Sequence, residues 1–480
     1  MTDSIQQKRR LRRIRLIGIL VAILLAIPVL VLEFSWEQNH LQRIQSAGKL
    51  SVITFNGPTT YFEGNQGPKG FEYELTSAFA EHLDVELDIQ VADQFDLIMP
   101  AIQAAHVDMA AAGLAITEER KKQVAFSSSY QTIKQQVVYR SGGAKRPRKP
   151  SDLTNREIMV TAGSSHVERL QKIKNKYPQL KWQESVSETP ENLLVRVWEN
   201  KLVVTVADSN IVSIVRQFYP DLQIAFSLPP DDKLAWMFNH SNDKSLLTAA
   251  NEFLNDFKKS GELNRLLDRY YGPSSQFNYV NSKKFLERID ELLPTYKKMF
   301  LLAEENTGID WRLLAAQAYQ ESHWDADAVS PTGVRGIMML TNATATRLKI
   351  NDRRDPAESI EGGSRYLKML MDNLPQRIKQ PDRLWLALAA YNIGVGHLED
   401  ARILTQKAGA DPDSWLDVRQ YLPLLAKPEW HNQTKHGYAR GYEPVAYVNR
   451  VRGYYAILSW SDRQRRKPNT ILDDIDLPAL

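Results

Sequence analysis

A change of periodicity near residue 272 limits this chain more than any other feature. Before it, short apolar or alternating runs recur between amphipathic stretches. A strand is expected at Leu50–Phe55, and Gly57 and Pro58 signal a turn. "GFEYELTSAFAEHLDV" then places Leu75, Phe79 and Leu83 on one helical face. "VELDIQVA" alternates as a strand, and "FDLIMPAIQAAHVDMAAAGLAI" reads as a helix and a further short strand. A second block of the same kind starts at "REIMVTAGSSHVERLQKI" and continues to "NKLVVTVADSN". Such alternation predicts an α/β fold with mostly parallel strands. The Gly/Pro/basic stretch Arg140–Leu153 reads as the connection between the blocks. Two α/β lobes joined by extended segments form a cleft that can close by hinge motion.

After "YYGPSSQFNYVNS" the strand signals stop. The remainder reads as helices punctuated by Gly and Pro, with Pro294 marking a break or a first turn. At 480 residues the chain is too long for one ordinary core. The expected architecture is therefore a two-lobed α/β module over residues 40–272, followed by an all-α module over residues 275–480.

The N-terminus carries a different signal. Lys8, Arg9, Arg10, Arg12, Arg13 and Arg15 precede an uncharged run from Leu16 to Leu32. A basic head before such a run makes residues 1–32 a signal peptide or a signal anchor. No small-residue cleavage site follows Ala26, so the sequence leaves cleavage and retention both open. In either case the positive-inside rule sends everything after Leu32 out of the cytoplasm. These cations carry much of the formal charge of +4, and no basic stripe for nucleic acid remains. The chain has no cysteine. Disulfides, thiol catalysis, cysteine-held metal and a lipoprotein cysteine are all excluded. The histidines, His323 and His397 among them, show no metal spacing, and no cofactor is expected.

One acidic residue stands out in the helical module. Asp310 is a good N-cap, and Leu314, Ala318 and Glu321 then share one face of the helix it opens. That face is otherwise apolar. Glu321 also falls in the last turn, where the macrodipole disfavours an anion. Burial and dipole both raise a carboxyl pKa, which suits a general acid. On this pattern alone, a solvated glutamate at a helix end is the better reading. Asp325 and Asp327, in the turn that follows, read as loop solvation or capping.

Longer motifs add to both modules. "AHVDMAAAGLAITEERKKQVAFSSSYQ", residues 105–131, resembles the signature of family 3 periplasmic solute-binding proteins, with "AHVD" in place of the usual G-x-x-D. The resemblance implies that Arg120 grips a ligand carboxylate, as a guanidinium fork can. It implies that Ser164 or Ser165, in a turn opening a helix, meets the same carboxylate. Asp208 stands where amino-acid binders hold the ligand ammonium. The implied ligand is an amino acid or a muropeptide, and the module would regulate rather than catalyse.

In the second module four motifs follow in order: Glu321-Ser322, "SPTGVRGIMMLT" from Ser330, "AAYNIGVGH" from Ala389, and "EPVAYVNRV" around Tyr447. They resemble the soluble lytic transglycosylase family of lysozyme-like folds. The resemblance implies one catalytic acid, Glu321, acting on the bond between N-acetylmuramic acid and N-acetylglucosamine in peptidoglycan strands. A 1,6-anhydro sugar would result. Ser322 and Ser330 would line the acid's pocket, Tyr391 and Asn392 would face the glycan, and Tyr447 would bond the carboxyl. Met339 departs from the family, which keeps a glutamine there. Gly333 and Gly336 would let the backbone approach the sugar. The implied place is the periplasmic side of the cell envelope, peripheral to the outer membrane, with an inner-membrane anchor as the alternative. A membrane-tethered solute or muropeptide sensor and a lysozyme-type hydrolase are the competing functions.

Overall fold

The computed structural model describes residues 38–64, 67–275, 279–330 and 333–466. The Leu16–Leu32 run lies outside the described residues. Among those residues, no helix is long and apolar enough to cross a membrane.

The first module has two sheets. Strands β1 (Lys49–Phe55), β2 (Phe62–Gly64), β3 (Gly67–Lys69), β4 (Glu86–Ala92), β5 (Met109–Ala110) and β6 (Val124–Phe126) are followed by β7 (Gln131–Arg140) and β8 (Ile158–Thr161). Then come β9 (Gln183–Ser185), β10 (Val204–Asp208), β11 (Leu222–Leu234) and β12 (Met237–Asn239). Lobe one is the sheet β4-β1-β5-β12-β6, lobe two is β11-β7-β10-β8-β9, and β2 and β3 pair as a small hairpin. Each sheet is buried on its helix-covered faces. Every residue of β10 is buried, the polar Thr205 and Asp208 included. The helix Phe71–His82 buries Leu75 and Phe79, matching the spacing of the sequence.

Two expectations need correction. The sheets are mixed rather than mostly parallel. β1–β4, β1–β5, β10–β8 and β8–β9 are parallel, while β10–β7, β11–β7, β12–β5 and β12–β6 are antiparallel. The lobes are also not joined at Arg140–Leu153, which lies within lobe two. There Ser141 donates to the Asp221 carbonyl and Arg146 to that of Ala225. The chain crosses out between β6 and β7 and returns between β11 and β12. The two crossings are laced together: the Ser127 N–H donates to the Trp236 carbonyl, and the Trp236 N–H to Ser127 Oγ, each at 3.0 Å.

The helix Glu262–Ser275 runs through the expected junction at residues 272 and 275. Its Arg269 and Tyr270 side chains donate to Glu74 in lobe one. Asp268, one residue earlier, accepts from Arg452 at 2.9 Å and Arg419 at 2.6 Å, both in the second module. Burial pushes the Asp268 carboxyl up, but the two guanidiniums pull harder and hold it below its ordinary value. Lobe two reaches the same C-terminal helix, Tyr442–Arg466, through Phe218 and Tyr219. Their rings lie 5.1 and 5.6 Å from that of Trp460. One continuous apolar core joins the modules.

The second module is helical throughout the described residues, with Pro294 in the first turn of the helix Leu293–Thr307. Its core centres on Phe285, Tyr319, Trp324 and Tyr454, where Phe285 lies 4.4 Å from Tyr319 and 4.6 Å from Tyr454. Edge and tilted ring contacts of this kind fix the helix Trp311–Ser322 against the C-terminal helix.

Candidate active site

Asp310 caps the helix Trp311–Ser322, accepting from the Arg312 N–H at 2.8 Å. Eleven residues on, Glu321 is half-buried in the last turn. The helix then stops abruptly. His323 and Trp324 have φ of 55° and 61°, two successive left-handed residues that are not glycine. Such backbone costs free energy and concentrates at functional sites. Here it is held by the Trp324 indole, which is buried and donates to the Ala315 carbonyl at 2.8 Å.

The following loop is tied down at several points. Ser322 donates to the Ile337 carbonyl at 2.9 Å, Tyr391 to that of Met338 at 2.9 Å, and Arg353 to that of Leu340 at 2.7 Å. The Ser330 hydroxyl accepts from the Val334 N–H at 3.2 Å. The two serines therefore build the loop, and Ser322 is too buried to meet a substrate directly. Met339, which departs from the family pattern, is half-exposed with φ 47°. Asn392 is exposed at the end of the helix Asp382–Ile393. Gly336 faces the Arg353 carbonyl rather than a groove: a Cβ there would lie 1.7 Å from that oxygen.

Tyr447, 126 residues from Glu321, donates to its Oε1 at 2.6 Å. Burial pushes the Glu321 carboxyl up to about 7, against the lowering effect of that bond. Among the described residues no other carboxylate acts on it. Asp325 and Asp327 are exposed, and Asp325 caps the Asp327 N–H at 3.0 Å. Burial, and then the Glu321 charge, push the hydroxyls of Tyr391 and Tyr447 well up, so both stay neutral donors. Gln317 was not singled out by the sequence. Fully buried one turn before Glu321, it lowers the Tyr447 hydroxyl's pKa, while neither of its amide atoms finds a hydrogen-bond partner by geometry. The only advance signal was an amide in an apolar stripe at i−4 from the acid.

The interlobe cleft differs from what the resemblance implies. Arg120 is buried and bridges the lobes. It donates to the Ala115 carbonyl of lobe one at 3.1 Å and to the Gly163 carbonyl of lobe two at 2.9 Å, with Glu168 3.5 Å from its Nε. The Ser164 hydroxyl donates to the Thr161 carbonyl at 2.6 Å. Asp208 Oδ1 lies 2.9 Å from His166 Nε2, within hydrogen-bond distance. Between these groups lies a cavity of about 40 Å³, which Glu191 also lines.

The fold and site define a class: a two-lobed binding-protein module joined to a helical domain whose half-buried Glu321 carboxyl is held by Tyr447. The family model of bacterial extracellular solute-binding proteins, family 3, matches residues 50–273, and that of the transglycosylase SLT domain matches residues 298–413. A protein of Saccharophagus degradans named membrane-bound lytic murein transglycosylase F is 42% identical, covering 95% of this chain and 90% of that protein. One of the same name from Alcanivorax borkumensis is 44% identical, covering 94% and 96%. Among solved structures, holo ArgBP from T. maritima is 26% identical with a TM-score of 0.41, covering 48% of this chain and 98% of that one. The chain belongs to the membrane-bound lytic murein transglycosylase F family.

Proposed function

We propose that Glu321 is the sole proton-transfer carboxyl of a murein-degrading lytic transglycosylase, a lyase of peptidoglycan strands. The observation that carries this reading is a carboxyl raised to about 7 with Tyr447 donating to Oε1. With Oε1 occupied, the carboxyl proton resides on Oε2, free to pass to the oxygen between N-acetylmuramic acid and N-acetylglucosamine. The C1–O bond breaks and N-acetylglucosamine leaves with that proton. Glu321, now a carboxylate, takes the proton of the muramyl 6-hydroxyl as its oxygen closes on C1. The 1,6-anhydro product contains no added water. A hydrolase of the two-carboxylate kind needs a second acid roughly 5–9.5 Å away, and Asp325 and Asp327 are exposed loop residues.

Tyr447→Phe tests the reading. Its expected effect is a fall in kcat of roughly 10- to 100-fold. The alkaline limb of the pH–rate profile should also move upward. The wild type is expected to lose activity as pH rises through about 7 and the acid form disappears. Because the tyrosine bond lowers the Glu321 pKa, removing it keeps the acid protonated to higher pH. A limb that stays in place would exclude Glu321 as its source.

The first module is read as a regulator whose cleft takes an amino acid or muropeptide. The support is mechanical: lobe one, through Asp268, and lobe two, through Phe218 and Tyr219, hold the same helix that carries Tyr447. Lobe movement would pull on that helix at two points. Muropeptide release that is unchanged by such ligands and by Arg120→Ala would remove this reading. The family name places the protein in association with a membrane of the cell envelope. The periplasmic face of the outer membrane is the proposed site, and residues 40–272 and 275–480 the proposed modules.

A further inference from the structure

We propose that Gln317 is a positioning residue for the proton transfer: its amide N–H donates to the Tyr447 hydroxyl oxygen, aims that hydroxyl at Glu321 and steadies the carboxylate that forms there. This rests on the reading of Glu321 as the proton-transfer carboxyl, and goes beyond it by adding a group that never meets the glycan.

Gln317 and Glu321 are one turn apart on the helix Trp311–Ser322, so they share a face. Helical side chains lean toward the helix N-terminus, which carries the Glu321 carboxyl back over Gln317. Tyr447 reaches the same spot from the C-terminal helix and donates to Glu321 Oε1 at 2.6 Å. Gln317 is fully buried, as are the apolar Leu313, Leu314 and Ala318 around it.

An amide is out of place there unless it is used. Neither its Oε1 nor its Nε2 meets a partner. Burying both ends unpaired is costly, and an apolar side chain of the same size would avoid that cost. Tyr447 is the group that can take the amide up. Its one proton is spent on Glu321, and its oxygen keeps lone pairs with which to accept. Burial pushes the Tyr447 hydroxyl well up, and Gln317 acts in the opposite direction. A donor to the oxygen has that effect; a facing carbonyl does not.

Gln317, Tyr447 and Glu321 then act as one chain. A hydroxyl that accepts a bond donates a stronger one. The strengthening favours the carboxylate over the acid, so it counts most once the proton has left for the glycan. The other titratable groups at this spot are two tyrosines. Tyr391 comes from the helix Asp382–Ile393, and Tyr366, from the helix Pro356–Asn373, lies with its ring 5.2 Å from that of Tyr391. Among the described residues no charged side chain acts on Glu321.

The test is the pH–rate profile of the full-length enzyme in detergent on solubilised murein strands, for Gln317→Met alone and in the Tyr447→Phe background. Methionine keeps the length of the side chain and has no N–H. The expected result for Gln317→Met is a kcat lower by roughly three- to tenfold, an unchanged KM, and an alkaline limb displaced upward. A weaker Tyr447 bond favours the carboxylate less, so the acid stays protonated to higher pH. In Tyr447→Phe, adding Gln317→Met should change neither the limb nor kcat further. A limb at its wild-type position in Gln317→Met overturns the proposal and leaves the reading of Glu321 standing. An equal loss of kcat in both backgrounds does the same, because it marks a packing role. A limb unmoved by Tyr447→Phe itself removes the Glu321 reading and this one together. Thermal melts report whether the variants fold. If Gln317→Met does not, Gln317→Leu carries the same expectations, and failure of both to fold assigns Gln317 to packing and overturns the proposal.

Discussion

Glu321→Gln is expected to lower muropeptide release from sacculi by at least ~10³-fold while leaving the protein folded. One general acid–base group commonly contributes 10²–10⁴, and here one side chain serves as acid and then as base. Glutamine keeps the shape and the Tyr447 bond, since its carbonyl oxygen can accept where Oε1 does, but it carries no transferable proton. Stability gives a second readout. The folded carboxyl sits at about 7, above its ordinary 4.5. The native state therefore binds the proton more tightly than the unfolded chain, and stability declines as pH rises from about 4.5 through about 7. Glutamine has no such decline. At pH 8 the variant should melt at or above the wild-type temperature, and lysis within about tenfold of the wild type would refute the acid assignment.

Gly336→Ala is expected to destabilise the active-site loop by ~3–5 kcal/mol. The added Cβ would meet the Arg353 carbonyl at 1.7 Å and Ser359 Oγ at 2.9 Å, at a residue whose φ is 83°. Neither neighbour is free to retreat. Arg353 holds the Leu340 and Gly333 carbonyls, and Ser359 Oγ accepts the Met338 N–H. Displacing them loosens the turn that Ser322 and Tyr391 grip behind Glu321. A melting temperature lower by on the order of 6–12 °C should accompany the loss of lysis. Gly333→Ala is the control. Its φ is 82°, but nothing lies within 4 Å of its Cβ position, so only the conformational cost of ~1 kcal/mol applies. Equal effects at the two positions would contradict the close-approach argument.

The comparison of these glycines shows what the sequence could carry. Both belonged to one motif, and both were expected to serve the sugar. Only the fold reveals that Arg353, seventeen residues from Gly336, occupies the space beside it. Local periodicity was legible: the strand at Leu50–Phe55, the helix face of Leu75 and Phe79, and the cap at Asp310 all depend on near neighbours. The strand directions were not, because β7, β11 and β12 find partners far away in the chain. The lobe crossings were misread for a related reason. Arg140–Leu153 has the composition of a linker, whereas Ser127–Tyr130 and Ala235–Trp236 look like ordinary extended chain.

The candidate site divides in the same way. Glu321 stood out because helix spacing alone puts it on an apolar face. The contact of Tyr447 with it came from motif resemblance, since no local rule links residues 126 apart. Gln317 and Glu191 passed unnoticed. A glutamine within a helix and a glutamate in a first helical turn are ordinary surface choices until burial removes their water.

The central claim, one carboxyl and no added water, is tested most directly by the mass of the muropeptides that the full-length enzyme releases from sacculi. The account predicts products lighter by one water than their hydrolysed counterparts, with 1,6-anhydro ends that borohydride does not reduce. Products at the hydrolysed mass with reducible ends would contradict it.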